Sequence, residues 1–217
     1  MVDSSKNSYD IIEIIVRKIS TARNIGIRRV VASRYHMIVP TILRYIYRFD
    51  AWHSTNPYSI RPYKKHVVSI INSINPHSIV EVGCGLGDII SRSTSKIKYG
   101  VDSDARVLRA AKLIHGKEIK WICGDLVDLD KLLPPGKLDC IVMIGWLHML
   151  SEAQLKEIFK NIGPKFNYFL LDSFVGDLPP GCFRHEFGFL NNCAECISES
   201  MLEDDRIRKY LLFRKNN

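Results

Sequence analysis

A doubly wound α/β sheet, preceded by a helical extension, is the fold class that this sequence predicts. Three observations carry that reading. Five short apolar runs, Ser78–Val82, Ile97–Val101, Ile119–Cys123, Leu138–Ile144 and Tyr168–Leu171, are rich in Ile, Val, Leu and aromatics, as strands buried on both faces are. Helical spacing lies between them, with Val107, Leu108, Ala111, Leu113 and Ile114 on one stripe and Leu155, Ile158 and Phe159 on another. Strand and helix alternating over about 140 residues build parallel strands joined by crossover helices. The end of the chain differs. Cys193–Met201, an acidic turn at Glu203, Asp204 and Asp205, and Arg208–Arg214 read as an antiparallel hairpin that closes the sheet.

Taken in order, residues 1–76 read as a helical, basic extension and residues 77–217 as the sheet domain. Ile11, Ile12, Ile14, Ile15 and Ile19 give one apolar face, and Val30, Val31, Met37–Val39, Ile42, Leu43 and Ile46 another. Pro40 is expected near a helix boundary, and the Asn75-Pro76 step marks the junction to the sheet. Between them, Trp52 to His66 reads as a proline-punctuated loop in which aromatic, basic and amide groups alternate. Aromatic faces and arginine forks there suit sugars, phosphates or carboxylates. Trp52, His53, Tyr58 and Arg61 are the candidates in that stretch.

The first strand carries the strongest motif, Ser78-Ile-Val-Glu-Val-Gly-Cys-Gly-Leu-Gly-Asp88. Glu81 stands near the strand end, and Gly83, Gly85 and Gly87 follow around Cys84. Glycines there let the backbone turn sharply and let a ligand approach the next helix start. The spacing is G-x-G-x-G, not the G-x-G-x-x-G that cradles a dinucleotide pyrophosphate, which counts against a nicotinamide enzyme. The second strand ends at Asp102-Ser103, where an acid can hold both hydroxyls of a ribose. The third ends at Gly124-Asp125-Leu126, where a carboxylate can accept from an exocyclic amine. The fourth ends at Gly145-Trp146-Leu147-His148 and the fifth at Asp172. All lie at carboxyl ends of parallel strands, where open α/β sheets bind ligands.

This constellation resembles the class I S-adenosylmethionine-dependent methyltransferases. By motif the resemblance covers roughly residues 77–172. It implies a Rossmann-like seven-stranded sheet of order 3-2-1-4-5-7-6, with the last strand antiparallel. It implies S-adenosyl-L-methionine as cofactor and S-adenosyl-L-homocysteine as its product. By the same resemblance the Gly83–Gly87 loop passes under the methionine part, Asp102 holds the ribose, Asp125 takes the adenine amine and the Leu126 backbone the ring nitrogen. Glu81 supports the loop or reaches the cofactor's amino group, and Arg61 or Tyr58 holds the carboxylate. Trp52-His53, the Arg61-Pro-Tyr-Lys-Lys run, the glycine motif and Trp146-Leu-His148 together look like small bacterial methyltransferases of cell-surface glycan clusters. That looser likeness implies a sugar or phosphorylated sugar, methylated on oxygen.

An oxygen acceptor calls for a base. His148 is a candidate because its side chain titrates near neutrality, and Asp172 and His185 stand near the same strand ends. Trp146 is a substrate candidate beside it. The Asp/Asn-Pro-Pro-Tyr/Phe segment common at the fourth strand end of base and amide methyltransferases is missing, which speaks against nucleic-acid acceptors. An RNA methyltransferase and a non-catalytic cofactor-binding scaffold are the alternatives. Cofactor binding without turnover on any acceptor would favour the scaffold.

Charge and composition close off other classes. The 217 residues carry 31 Lys+Arg against 23 Asp+Glu. From Ile14 to Phe49 there is no acid, and Arg17, Lys18, Arg23, Arg28, Arg29, Arg34, Arg44 and Arg48 fall there, so the rest of the chain is balanced. Such a segment suits solvated helix faces, a peripheral contact with an anionic membrane, a rim that draws in an anionic, even lipid-linked, substrate, or a nucleic-acid arm. Met1–Asp10 is polar and unlike a secretory signal, and six cysteines make no disulfide scaffold, so a cytoplasmic location with free thiols is expected. Cys182, His185, Cys193 and Cys196 have knuckle-like spacing for zinc, but cysteines bordering a strand more simply fill core, and no metal is expected.

Overall fold

The computed structural model describes residues 30–55, 57–203 and 205–216. The isoleucine face at residues 11–19 and the basic residues Arg17, Lys18, Arg23, Arg28 and Arg29 lie outside the described residues. The elements run α1 (Val30–Tyr47), α2 (Ala51–Thr55), α3 (Pro62–Ile74), β1 (Ser78–Val82), β2 (Ile97–Asp102), α4 (Ala105–His115), β3 (Lys120–Cys123), α5 (Leu129–Leu132), β4 (Leu138–Met143), α6 (Glu152–Ile162), β5 (Phe166–Phe174), β6 (Ala194–Leu202) and β7 (Asp205–Lys215). One sheet contains all seven strands in the order β3-β2-β1-β4-β5-β7-β6. The first five are parallel, and β7 runs antiparallel to β5 and to β6. This is a Rossmann-like sheet in the strand order that the resemblance implies.

Strand periodicity divides the core. Val80 and Val82, Ile141 and Met143, Phe169 and Leu171, and Leu211 and Phe213 point to one face, where α6 covers them with Leu155, Ile158, Phe159 and Ile162. Their neighbours Ile79, Cys140 and Val142, Leu170, and Tyr210 and Leu212 point to the other face, where α3 covers them with Val67, Val68 and Ile71. A third cluster joins Val39 and Leu43 of α1 to Val107 and Ala110 of α4 and to Leu86 of the glycine loop. The segment ahead of the sheet therefore reaches the loop after β1.

Local sequence sets the helix ends. Asp104 caps α4 by accepting from Arg106 N–H at 2.8 Å. Ser151 and Gln154 form a reciprocal capping box on α6. Pro62 opens α3, and Asn75 closes it in the left-handed region with φ 43°. Three boundaries differ from expectation. Pro40 lies inside α1 rather than at its end. The Val39 and Leu43 stripe buried against α4 offsets the ~3 kcal/mol that an interior proline costs. Trp52 to His66 is not a loop but α2, a 3₁₀ turn at Tyr58–Ile60 and the start of α3. The fifth strand is longer than its apolar run, because β7 pairs with it through Asp172 and Ser173 to Phe174. Among the described residues no helix is long and apolar enough to cross a membrane.

Candidate active site

The site begins where β1 stops. The N–H groups of Gly83 and Cys84 both donate to the Val101 carbonyl, at 2.9 and 3.0 Å, folding the chain back over the end of β2. Gly83 and Gly85 have φ of +71° and +52°. A Cβ on Gly83 would stand 2.5 Å from the Trp146 indole nitrogen, and one on Gly85 2.9 Å from His53 Nδ1. Conformation and close approach both demand glycine at these two positions.

Three carboxyl groups stand along this edge. The Asp102 carboxylate accepts from Gly85 N–H at 2.8 Å through Oδ2 and from Asp104 N–H at 3.0 Å through Oδ1, so it braces the glycine loop. Glu81 is buried and accepts from Ile90 N–H at 2.9 Å. Burial pushes its carboxyl up to about 8, against the pull of that N–H and of Lys64. Asp125 accepts from Leu126 N–H at 2.6 Å and caps the turn that follows. The Leu126 N–H expected to meet a ring nitrogen is thus engaged by its neighbour's own side chain.

A cavity of about 500 Å³ brings these groups together. Glu81, Gly83, Cys84, Gly85, Asp102, Ser103, Gly124, Asp125, Leu126 and Gly145 line it, and so do Trp52, His53, Trp146 and His148. From above, His53 stacks on Trp52 with ring centroids 3.5 Å apart. Burial lowers the His53 pKa, opposed by the nearby carboxylates of Asp102, Asp104 and Asp50. Trp146 donates its indole N–H to the Val82 carbonyl at 2.9 Å, which lays the ring across Gly83. His148 packs edge-on to Phe174 at 4.7 Å, and its Nδ1 is buried with no hydrogen-bond partner among the described residues. Burial, then the Arg208 charge and His185, lower its pKa, so the ring is neutral near pH 7.

Five expected site residues stand outside the lining. Gly87 faces Trp121 and His115 instead. Tyr58 carries the Arg92 guanidinium on its ring face at 4.0 Å. Arg61 sits exposed at the N-cap of α3. His185 is buried with its Nε2 on the Leu147 carbonyl at 3.1 Å, where it holds the chain beside His148. Asp172 lies within β5, not at its end, and accepts from Gly145 N–H at 2.9 Å. It shapes the cavity floor through that backbone. Cys193 and Cys196 are exposed whereas His185 points inward, and among the described residues no three His, Cys, Asp or Glu gather as a metal cluster.

The structure adds residues that sequence reasoning passed over. Tyr63 and Lys64 line the cavity from α3, with Lys64 paired to Asp88 at 2.7 Å. They lay within the aromatic and basic stretch, so the signal was present but spread over many residues. Arg208 enters from β7, and only the antiparallel pairing Phe174↔Arg208 brings it to the carboxyl ends of the parallel strands.

Comparison with known proteins agrees with this geometry. Residues 79–164 match a family model described as a methyltransferase domain. Among solved structures, N-methyltransferase NodS from Bradyrhizobium japonicum WM9 with S-adenosyl-L-homocysteine is similar at TM-score 0.62 and 14% identity, over 82% of this chain and 99% of that one. Magnesium protoporphyrin IX methyltransferase (ChlM) from Synechocystis PCC 6803, also with the homocysteine product, is similar at 0.58 and 14%, over 84% and 97%. A putative O-methyltransferase from Nostoc punctiforme PCC 73102 is similar at 0.57 and 14%, over 70% and 56%. No curated protein matches the sequence. At these identities the structural likeness is one of fold.

Proposed function

We propose that this chain, whose residues 79–164 are a methyltransferase domain in a class I S-adenosylmethionine-dependent methyltransferase fold, methylates an oxygen of a small polar acceptor such as a sugar or phosphorylated sugar. The observation that carries the reading is the cavity lined jointly by Glu81, Asp102 and Asp125, with the glycine turn tied to Asp102 through Gly85 N–H. The residues fit S-adenosyl-L-methionine. Asp102 and Ser103 suit a ribose, and Asp125 keeps its second oxygen for an exocyclic amine. Gly83 and Gly85 let the Trp146 and His53 rings close onto the loop, at 2.5 and 2.9 Å from where a Cβ would stand. Glu81 is a buried carboxyl to which a cationic amino group would restore a charge partner.

When bound, the cofactor supplies an electrophilic methyl group on a sulfonium centre. The chain's own part is to hold the acceptor in line, keep water out and take a proton. His148 takes that proton at Nδ1, because its ring is neutral, the residue lines the cavity and Nδ1 has no competing partner among the described residues. Trp146 and Met149 wall that end of the cavity. Residues 77–217 act as the cofactor domain, and the extension before them reaches over the glycine loop through Trp52 and His53.

Calorimetric titration with S-adenosyl-L-homocysteine tests the cofactor reading. Binding by the wild-type protein and its loss in Asp102→Ala are expected, and no binding by the wild type overturns the proposal. A screen of sugars and phosphorylated sugars with labelled methyl donor tests the acceptor class. Labelling of RNA in place of small molecules would overturn that part.

A further inference from the structure

The cavity extends past the groups assigned to the cofactor. Asp125, Asp102 and Glu81 stand at the ends of β3, β2 and β1, whereas Arg208 stands on β7, three strands beyond β1 and about 14 Å along the edge. Its guanidinium lies between two ring faces, 5.1 Å from the Tyr63 centroid and 5.0 Å from that of Phe174. That packing holds the plane and leaves the N–H edge to make hydrogen bonds. Its one acidic neighbour among the described residues, Asp172, is at 3.8 Å, beyond hydrogen-bond reach, and is itself engaged by Gly145 N–H. Arg208 Nε is buried with no hydrogen-bond partner among the described residues. His148 Nδ1, on the edge of the same Phe174 ring, is in the same condition. Two orphaned buried nitrogens beside one cavity wall are the mark of a site whose acceptor groups come from a ligand.

We propose that Arg208 is the acceptor-binding residue of this enzyme and that the methyl acceptor carries an oxyanion, a carboxylate or a phosphate, seated on its Nε edge within reach of His148. This deepens the methyl-transfer reading above and rests on it. Nε and the adjacent Nη form a side-on fork that matches two oxygens of either group. In the neighbouring half of the cavity, Glu81 has the cofactor's amino group as its partner in the reading above and Asp88 has Lys64, so neither leaves an uncompensated negative charge against the anion. Once the anion is seated, an acceptor hydroxyl a few bonds away lies beside His148 Nδ1.

The test uses protein saturated with S-adenosyl-L-homocysteine, titrated with inorganic phosphate, acetate and neutral glucose at constant ionic strength. Binding is followed by amide chemical-shift changes. One of the two anions is expected to bind at a single site and shift the Gly145 and Phe174 amides, and which one binds tells phosphate from carboxylate. Arg208→Gln should weaken that binding tenfold or more while leaving homocysteine-product affinity within twofold. Arg208→Lys, which keeps the charge without the fork, should fall between. Equal anion affinity in wild type and Arg208→Gln would overturn the proposal. So would a tenfold loss of homocysteine-product affinity in that variant, which would place Arg208 on the cofactor. Failure of the wild type to bind the homocysteine product is a separate readout, and it overturns the methyl-transfer reading together with this one.

Discussion

The two halves of the sheet's carboxyl edge are built by different means. On the β3-β2-β1 side, each candidate group sits at its own strand's end: Glu81 just before the last residue of β1, Asp102 as the last residue of β2, and Asp125 just past β3. Crossover helices make these strands parallel, so every strand end arrives on the same edge. On the β4-β5-β7 side, the groups come from different distances. His148 follows β4, Asp172 lies inside β5, and Arg208 belongs to a strand running the opposite way. The first half is braced by backbone N–H groups on carboxylates, as in Gly85 on Asp102 and Ile90 on Glu81. The second half is packed by rings around Phe174 and holds two buried nitrogens with no hydrogen-bond partner among the described residues. A braced half suits a constant ligand, and an open half suits the partner that varies.

His148→Ala should lower kcat by ~100-fold or more, the usual weight of a positioned base, with homocysteine-product affinity within twofold. A parallel loss of affinity would mean that the halves are not separable. Asp102→Ala should weaken homocysteine-product binding by ~100-fold, about 2.7 kcal/mol, since it removes the ribose contact proposed above together with the brace on Gly85. Calorimetry reads that effect directly, and an unchanged affinity would remove the cofactor role of this half. Gly83→Ala combines the ~1–2 kcal/mol cost of a left-handed residue with the displacement of Trp146, so its melting temperature should fall further than that of Gly116→Ala. Gly116 also has positive φ, +77°, but nothing stands near its missing Cβ, so equal losses would show that Trp146 yields freely.

The smallest effect is one of pH. Glu81 has a folded pKa raised to about 8, so between its unfolded value and that point the folded state holds more protons than the unfolded one. Stability should therefore fall as pH rises through that window. In Glu81→Gln, thermal melts from pH 5 to pH 8 should show a shallower fall. A steeper one would place the charged form of Glu81 in a stabilising contact.

Strand and helix order, the parallel body, the closing hairpin and the glycine–acid edge were legible from residue types and spacing alone. The physical reason is local. A buried parallel strand needs an unbroken apolar run, a sharp strand-to-helix turn needs glycine, and the candidate acids stand at or just past the same strand ends. Tertiary structure decided the rest. Pro40 inside α1, β5 running on through Asp172, Asp125 turned onto Leu126 N–H and Tyr58 committed to Arg92 each depend on what packs against them. Arg208 is the clearest case. In sequence it is one basic residue of a hairpin, and nothing nearby marks it. It reaches the site only because β7 pairs antiparallel with β5, and that register is set by long-range burial, which no local pattern encodes.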